Sequence, residues 1–85
     1  MQDKVAMVMG GGAGTGRATA LAFAREGARV VVADINRDGA DETLRQIESG
    51  GGEGLALACD MANPEDLIGV VSGTRDHFGA LHMVS

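Results

Sequence analysis

From residue 10 to residue 16 the chain reads Gly-Gly-Gly-Ala-Gly-Thr-Gly, five glycines in seven positions. Before it, Lys4 to Met9 is a short apolar run that reads as a strand buried on both faces. After it, Ala18, Leu21 and Ala22 recur at helical spacing up to Glu26, and Gly27 supplies a C-terminal stop. A strand that passes through a glycine-rich loop into a helix confines the chain to folds built from strand–loop–helix units.

The same alternation continues. Arg29 to Asp34 (Arg-Val-Val-Val-Ala-Asp) carries three consecutive β-branched residues, which favour extended backbone, and it ends on a carboxylate. A second helix follows, with Ala40, Leu44 and Ile47 on one stripe and the glycines from Gly50 to Gly52 closing it. Gly54 to Cys59 reads as a third strand leading to Asp60. Asn63 and Pro64 then make an N-cap and first-turn pair, with Glu65 and Asp66 where negative charge suits the helix dipole. Leu67, Val71, Thr74 and Phe78 share a face of this third helix, and Leu81 to Ser85 begins a fourth strand.

Strands alternating with helices of this length predict parallel βαβ units with right-handed crossovers, hence an α/β fold with an open, doubly wound sheet of about four strands and three helices. Residues 1–85 form one partial domain on this reading, cut inside its sheet, with the last strand at an exposed edge. Without Trp or Tyr and with only two Phe, the core is built from Ala, Val, Leu, Ile and Met.

Charge and cysteine content exclude several functions. Seven Lys and Arg against twelve Asp and Glu leave a net charge of −5, and the cations are scattered singly, which does not suit nucleic acid. No run of eighteen apolar residues occurs, and the N-terminus has no signal-peptide pattern, so the expected location is the cytoplasm, away from membranes. Cys59 is the only cysteine and reads as a buried apolar residue. His77 and His82 lack metal-ligand spacing, and Ser49, Ser72 and Ser85 have no base placed beside them, so no metal site and no nucleophile is expected.

Gly10, Gly14 and Gly16 have the spacing Gly-x-x-x-Gly-x-Gly, which fourteen glycines in 85 residues produce in roughly one random shuffle in three. The context is more specific. The match lies between strand and helix, and Asp34 ends the next strand eighteen residues after Gly16. A dinucleotide needs this arrangement: glycines let backbone approach the pyrophosphate, the helix N-terminus holds it, and the carboxylate accepts from the ribose hydroxyls while repelling a 2′-phosphate. NAD is therefore expected over NADP. A nucleoside triphosphate loop fits poorly, because Arg17 and Ala18 stand where its lysine and hydroxyl belong. The second glycine cluster, Gly50 to Gly54, follows a helix and is assigned to capping and turn.

With these features in order, the chain resembles the short-chain dehydrogenase/reductase family and its Rossmann domain, on the segments Met9 to Gly16, Val30 to Asp34 and Cys59-Asp60. The resemblance implies that Gly10, Gly14, Thr15 and Gly16 line the pyrophosphate, that Asp34 holds the adenosine ribose, that Asp60 and Met61 recognise adenine, and that Ile35 belongs to the same cofactor-binding set. Read from the residues alone, a carboxylate that follows a strand, as Asp60 does, is often only a turn or capping residue, and adenine contact is the favoured reading. Met9 departs from the family, which usually has a Thr there whose hydroxyl braces later backbone.

The family's Tyr and Lys pair, with its Ser and Asn, lies further along such chains; this sequence has no Tyr, and its only Lys is Lys4. Two expectations follow. The chain is the N-terminal, cofactor-binding part of an NAD-dependent oxidoreductase acting on an alcohol or ketone, inactive by itself. The alternative is a complete, non-catalytic nucleotide-binding or interaction module whose open fourth strand pairs with a partner or with its own copy, whereas on the first reading that edge pairs with the missing half of the domain.

Overall fold

The computed structural model describes residues 4–60, 62–78 and 82–84. In chain order the elements are β1 (Val5–Met9), α1 (Gly14–Arg25), β2 (Arg29–Asp34), α2 (Arg37–Ser49), β3 (Gly54–Ala58), α3 (Pro64–Phe78) and β4 (His82–Val84). The four strands form one parallel sheet in the order β3-β2-β1-β4. That is half of a Rossmann-type doubly wound sheet, with its reversal of strand order between β1 and β4.

Alternate residues of each strand point to opposite faces, and both faces are covered. On one, Ala6, Val8, Val30, Val32 and Ala56 pack with Ala20, Ala40 and Ile47 of α1 and α2. On the other, Val5, Met7, Val31 and Ala33 pack with Cys59 and with Val70 and Val71 of α3. The triplet Val30, Val31 and Val32 is wholly inaccessible to solvent; burying each valine stabilises the fold by about 1.5–3 kcal/mol. Burial on both faces is why these strands read as unbroken apolar runs.

The buried side of α1 differs from the stripe expected at Ala18, Leu21 and Ala22. Ala18 and Ala22 are exposed, while Ala20 is buried and Leu21, Phe23 and Ala24 pack on the sheet. Residues 18 and 20–24 are all apolar, so the periodicity is too shallow to choose a face; the smallness of Ala20 lets the helix approach the strands. The stripe on α2 is as expected. On α3, Leu67 is half-buried, Val70 is buried and Val71 packs inward; the side chains of Thr74 and Phe78 lie outside the described residues, as do Leu81 and Ser85.

The second glycine cluster ends α2. The Gly50 amide donates to Gln46 O and Ile47 O, Gly51 has φ +87°, and the Gly52 amide returns to Ile47 O at 2.9 Å. This is helix capping, as the sequence indicates.

Candidate functional site

Parallel register brings the carboxyl ends of three strands to one rim: Met9 is level with Ala33, and Asp34 with Ala58. Beyond β1 the chain stays tied to β2, since the Gly10 amide donates to Ala33 O at 2.7 Å. It then turns into α1. Gly10 (φ +72°) and Gly14 (φ +57°) occupy the left-handed region, where other residues lose roughly 1–2 kcal/mol. Gly16 serves differently: a Cβ there would collide with the Gly10 carbonyl oxygen, so helix and loop touch backbone to backbone. The three spaced glycines are thus required by this turn.

The N-terminus of α1 is open. Its N-cap is Ala13, which has no side-chain oxygen to offer, and no side chain caps the helix. The other two helices are capped: Asn36 Oδ1 accepts from the Gly39 amide at 3.1 Å, and Asn63 Oδ1 from the Glu65 and Asp66 amides at 3.0 and 3.4 Å. Alanine at an N-cap costs about 1 kcal/mol relative to Ser, Thr, Asn or Asp. The first-turn amides of α1, Thr15 among them, face a site suited to an anion.

Asp34 stands across from this turn, half-buried. Its Oδ2 accepts from the Gly12 amide and its Oδ1 from the Asn36 amide, both at 2.9 Å. A Cβ on Gly12 would lie 2.7 Å from that Oδ2, so any other residue there would push the carboxylate out of its present position. Each oxygen keeps a second lone pair for hydroxyl donors. Beside it Ile35 is 70% exposed, an apolar side chain held out at the rim.

Asp60, at the end of the neighbouring strand, accepts from the Ala62 amide at 2.9 Å through Oδ1, and its own amide donates to Asp66 Oδ2 at 3.3 Å. It is therefore a turn-forming carboxylate on the same rim. Met61 lies outside the described residues. Cys59 is buried, and burial first, then the charges of Asp66 and Asp60, push its thiol above the ordinary range. A neutral, enclosed thiol is a core residue and a poor nucleophile. Among the described residues no group of acidic, His or Cys side chains could hold a metal ion, and no helix is long and apolar enough to cross a membrane.

Sequence reasoning missed two residues behind the loop. Arg17 donates through Nε to Thr43 Oγ1 at 2.9 Å and through Nη2 to Gly12 O at 2.6 Å, with Gly39 O at 3.3 Å. Thr43, wholly buried on α2, donates to Gly11 O at 2.8 Å, with Gly39 O at 3.1 Å as a second acceptor. Both leave a trace in the sequence. A cation in the first turn of a helix opposes the dipole, and Thr43 is a polar residue inside the apolar stripe of Ala40, Leu44 and Ile47.

The family model described as short chain dehydrogenase matches residues 4–85. Cyclohexanol dehydrogenase of Acinetobacter sp. (strain SE19) is 41% identical over 81 residues, which cover 95% of this chain and 32% of that protein. A 7α-hydroxysteroid dehydrogenase solved with NADH and 7-oxo glycochenodeoxycholic acid superposes with a TM-score of 0.96 at 34% identity, covering 99% of this chain and 33% of the other. A metagenomic short-chain oxidoreductase solved with NADP superposes at 0.88 with 28% identity, covering 95% and 38%. The chain spans about a third of the length of the curated relatives it matches.

Proposed function

Because the chain belongs to the short-chain dehydrogenase family, we propose that it forms the adenosine- and pyrophosphate-binding part of an oxidoreductase, with NAD preferred over NADP. The observation that carries this reading is the uncapped N-terminus of α1, cradled by Gly10 and Gly16 at the point where strand order reverses and faced by the Asp34 carboxylate. Ligands of open parallel sheets bind in the crevice at such a point.

Each residue has a role in this reading. Amides of Gly14, Thr15 and Gly16 receive the pyrophosphate oxygens. Asp34, already aligned by two backbone donors, accepts from the ribose hydroxyls with its remaining lone pairs. Exposed Ile35 offers an apolar face to adenine, and Asp60 with the Met61 amide offers its polar edge. When bound, the dinucleotide would supply hydride chemistry, taking hydride from an alcohol in its oxidised form or giving it to a ketone in its reduced form. The chain's own residues hold and orient the adenosine end, and the groups that move the proton belong to a longer chain.

NAD preference rests on charge. A 2′-phosphate would stand against a carboxylate that two amides hold in place, and such like-charge contact disfavours binding. The reading is tested by titrating NAD and NADP separately into the nitrogen-15-labelled chain. The expected result is selective shifts of the 10–16 amides, Asp34 and Ile35 with NAD at lower concentration than with NADP. Equal or tighter binding of NADP overturns the preference; a dispersed spectrum unmoved by millimolar NAD overturns the site.

A further inference from the structure

We propose that Arg17 and Thr43 are positioning residues that turn two peptide units of the glycine loop, Gly11–Gly12 and Gly12–Ala13, so that their carbonyls face the protein interior while the Gly12 amide meets Asp34 and the Ala13 amide is turned away from the interior. The inference rests on the dinucleotide reading of the rim and extends it to a pair of residues that do not themselves line it.

The argument is one of peptide geometry. In a trans peptide the C=O and the following N–H point in opposite directions, and all the described peptide bonds are trans. Thr43 Oγ1 draws the Gly11 carbonyl toward α2, so the Gly12 N–H points the other way, and it is found on Asp34 Oδ2 at 2.9 Å. Arg17 Nη2 draws the Gly12 carbonyl in the same manner, which turns the next amide, that of Ala13, away from the guanidinium. Arg17 Nε also donates to Thr43 Oγ1, so the two anchors brace each other. One buried hydroxyl and one guanidinium thereby settle the orientation of two successive peptide units in a glycine run that has no side chains of its own to do so.

The composition of the cluster supports a role beyond packing. Among the described residues Arg17 pairs with no carboxylate; its partners are neutral oxygens. Its charge sits in the first turn of α1, where it opposes the helix dipole. Local rules broken in this way are expected at functional or strained sites. A guanidinium behind the loop whose bonds go to neutral oxygens adds positive potential there, which favours a ligand that brings negative charge, as a pyrophosphate does.

The test compares NAD with adenosine, which lacks phosphate, by amide-shift titration of the whole chain carrying Arg17→Gln, Thr43→Val or Thr43→Ser. Loss of a charge-assisted bond to the loop predicts that Arg17→Gln weakens NAD by about tenfold or more while adenosine changes by less than about twofold. Thr43→Val, which keeps shape and loses the hydroxyl, is expected to weaken NAD and to shift the Gly11 and Gly12 amides even without ligand; Thr43→Ser restores both. If Arg17→Gln does not fold, Arg17→Lys carries the same test, since an ammonium keeps the charge but cannot reach three acceptors as the planar fork does. NAD affinity unchanged in the Arg17 and Thr43→Val variants overturns the inference and leaves the rim as the cofactor site. Equal weakening of NAD and adenosine by Arg17→Gln overturns it too, because general loosening spares no part of the ligand. A folded wild-type chain that does not respond to NAD overturns both this inference and the reading beneath it.

Discussion

Replacing Asp34 by Asn separates what the carboxylate does for the protein from what it does for a ligand. Both its oxygens accept backbone amides, from Gly12 and from Asn36, at 2.9 Å each. An asparagine of the same shape has one oxygen, so whichever way it turns, one of those amides meets an NH2 donor. An unpaired buried donor costs about 1–3 kcal/mol. Asp34 is half-buried, and water partly replaces the lost acceptor, which places the expected loss at about 1–2 kcal/mol. For a chain of 85 residues that corresponds to a fall in Tm of about 4–15 °C. Urea unfolding followed by far-ultraviolet circular dichroism, without any cofactor, reads this directly: the midpoint drops with the slope unchanged. NAD titration of the same variant is expected to show weaker binding and a smaller gap between NAD and NADP, since the charge that repels a 2′-phosphate is gone. A midpoint equal to that of the wild type would refute the double role of Asp34, because it would mean that the Gly12 and Asn36 amides do not depend on it.

Two further outcomes follow from local geometry. Asn63→Ala removes the acceptor for the Glu65 and Asp66 amides and is expected to cost about 1 kcal/mol, read by urea unfolding, with NAD affinity little changed. Cys59, whose thiol is pushed up by burial and by the charges of Asp66 and Asp60, stays protonated in the fold, while in the unfolded chain it ionises near pH 8.5. Its contribution is therefore intact below about pH 8 and is lost as pH rises above the unfolded value toward the raised folded one. Cys59→Ala should show a smaller alkaline loss of stability than the wild type, and a maleimide should label the native thiol far more slowly than the urea-unfolded one.

The rim of the site was legible in the sequence because its demands are backbone demands. Gly10 and Gly14 need left-handed φ, Gly16 admits no Cβ, and Asp34 falls where a β-branched run stops, so residue type and spacing alone mark them. The alternation of apolar runs with helical stretches likewise determined a parallel α/β sheet, since each strand had to be buried on both faces. Only the tertiary structure decided the rest. It chose Ala20 over Ala18 as the buried face of α1, because a helix apolar nearly all round carries no periodic signal. It brought Thr43 to Gly11 and Arg17 to Gly12 and Gly39 across as many as 32 residues of chain. Hydrogen bonds between segments so far apart depend on how α2 packs beside the glycine loop, and no local pattern encodes that distance.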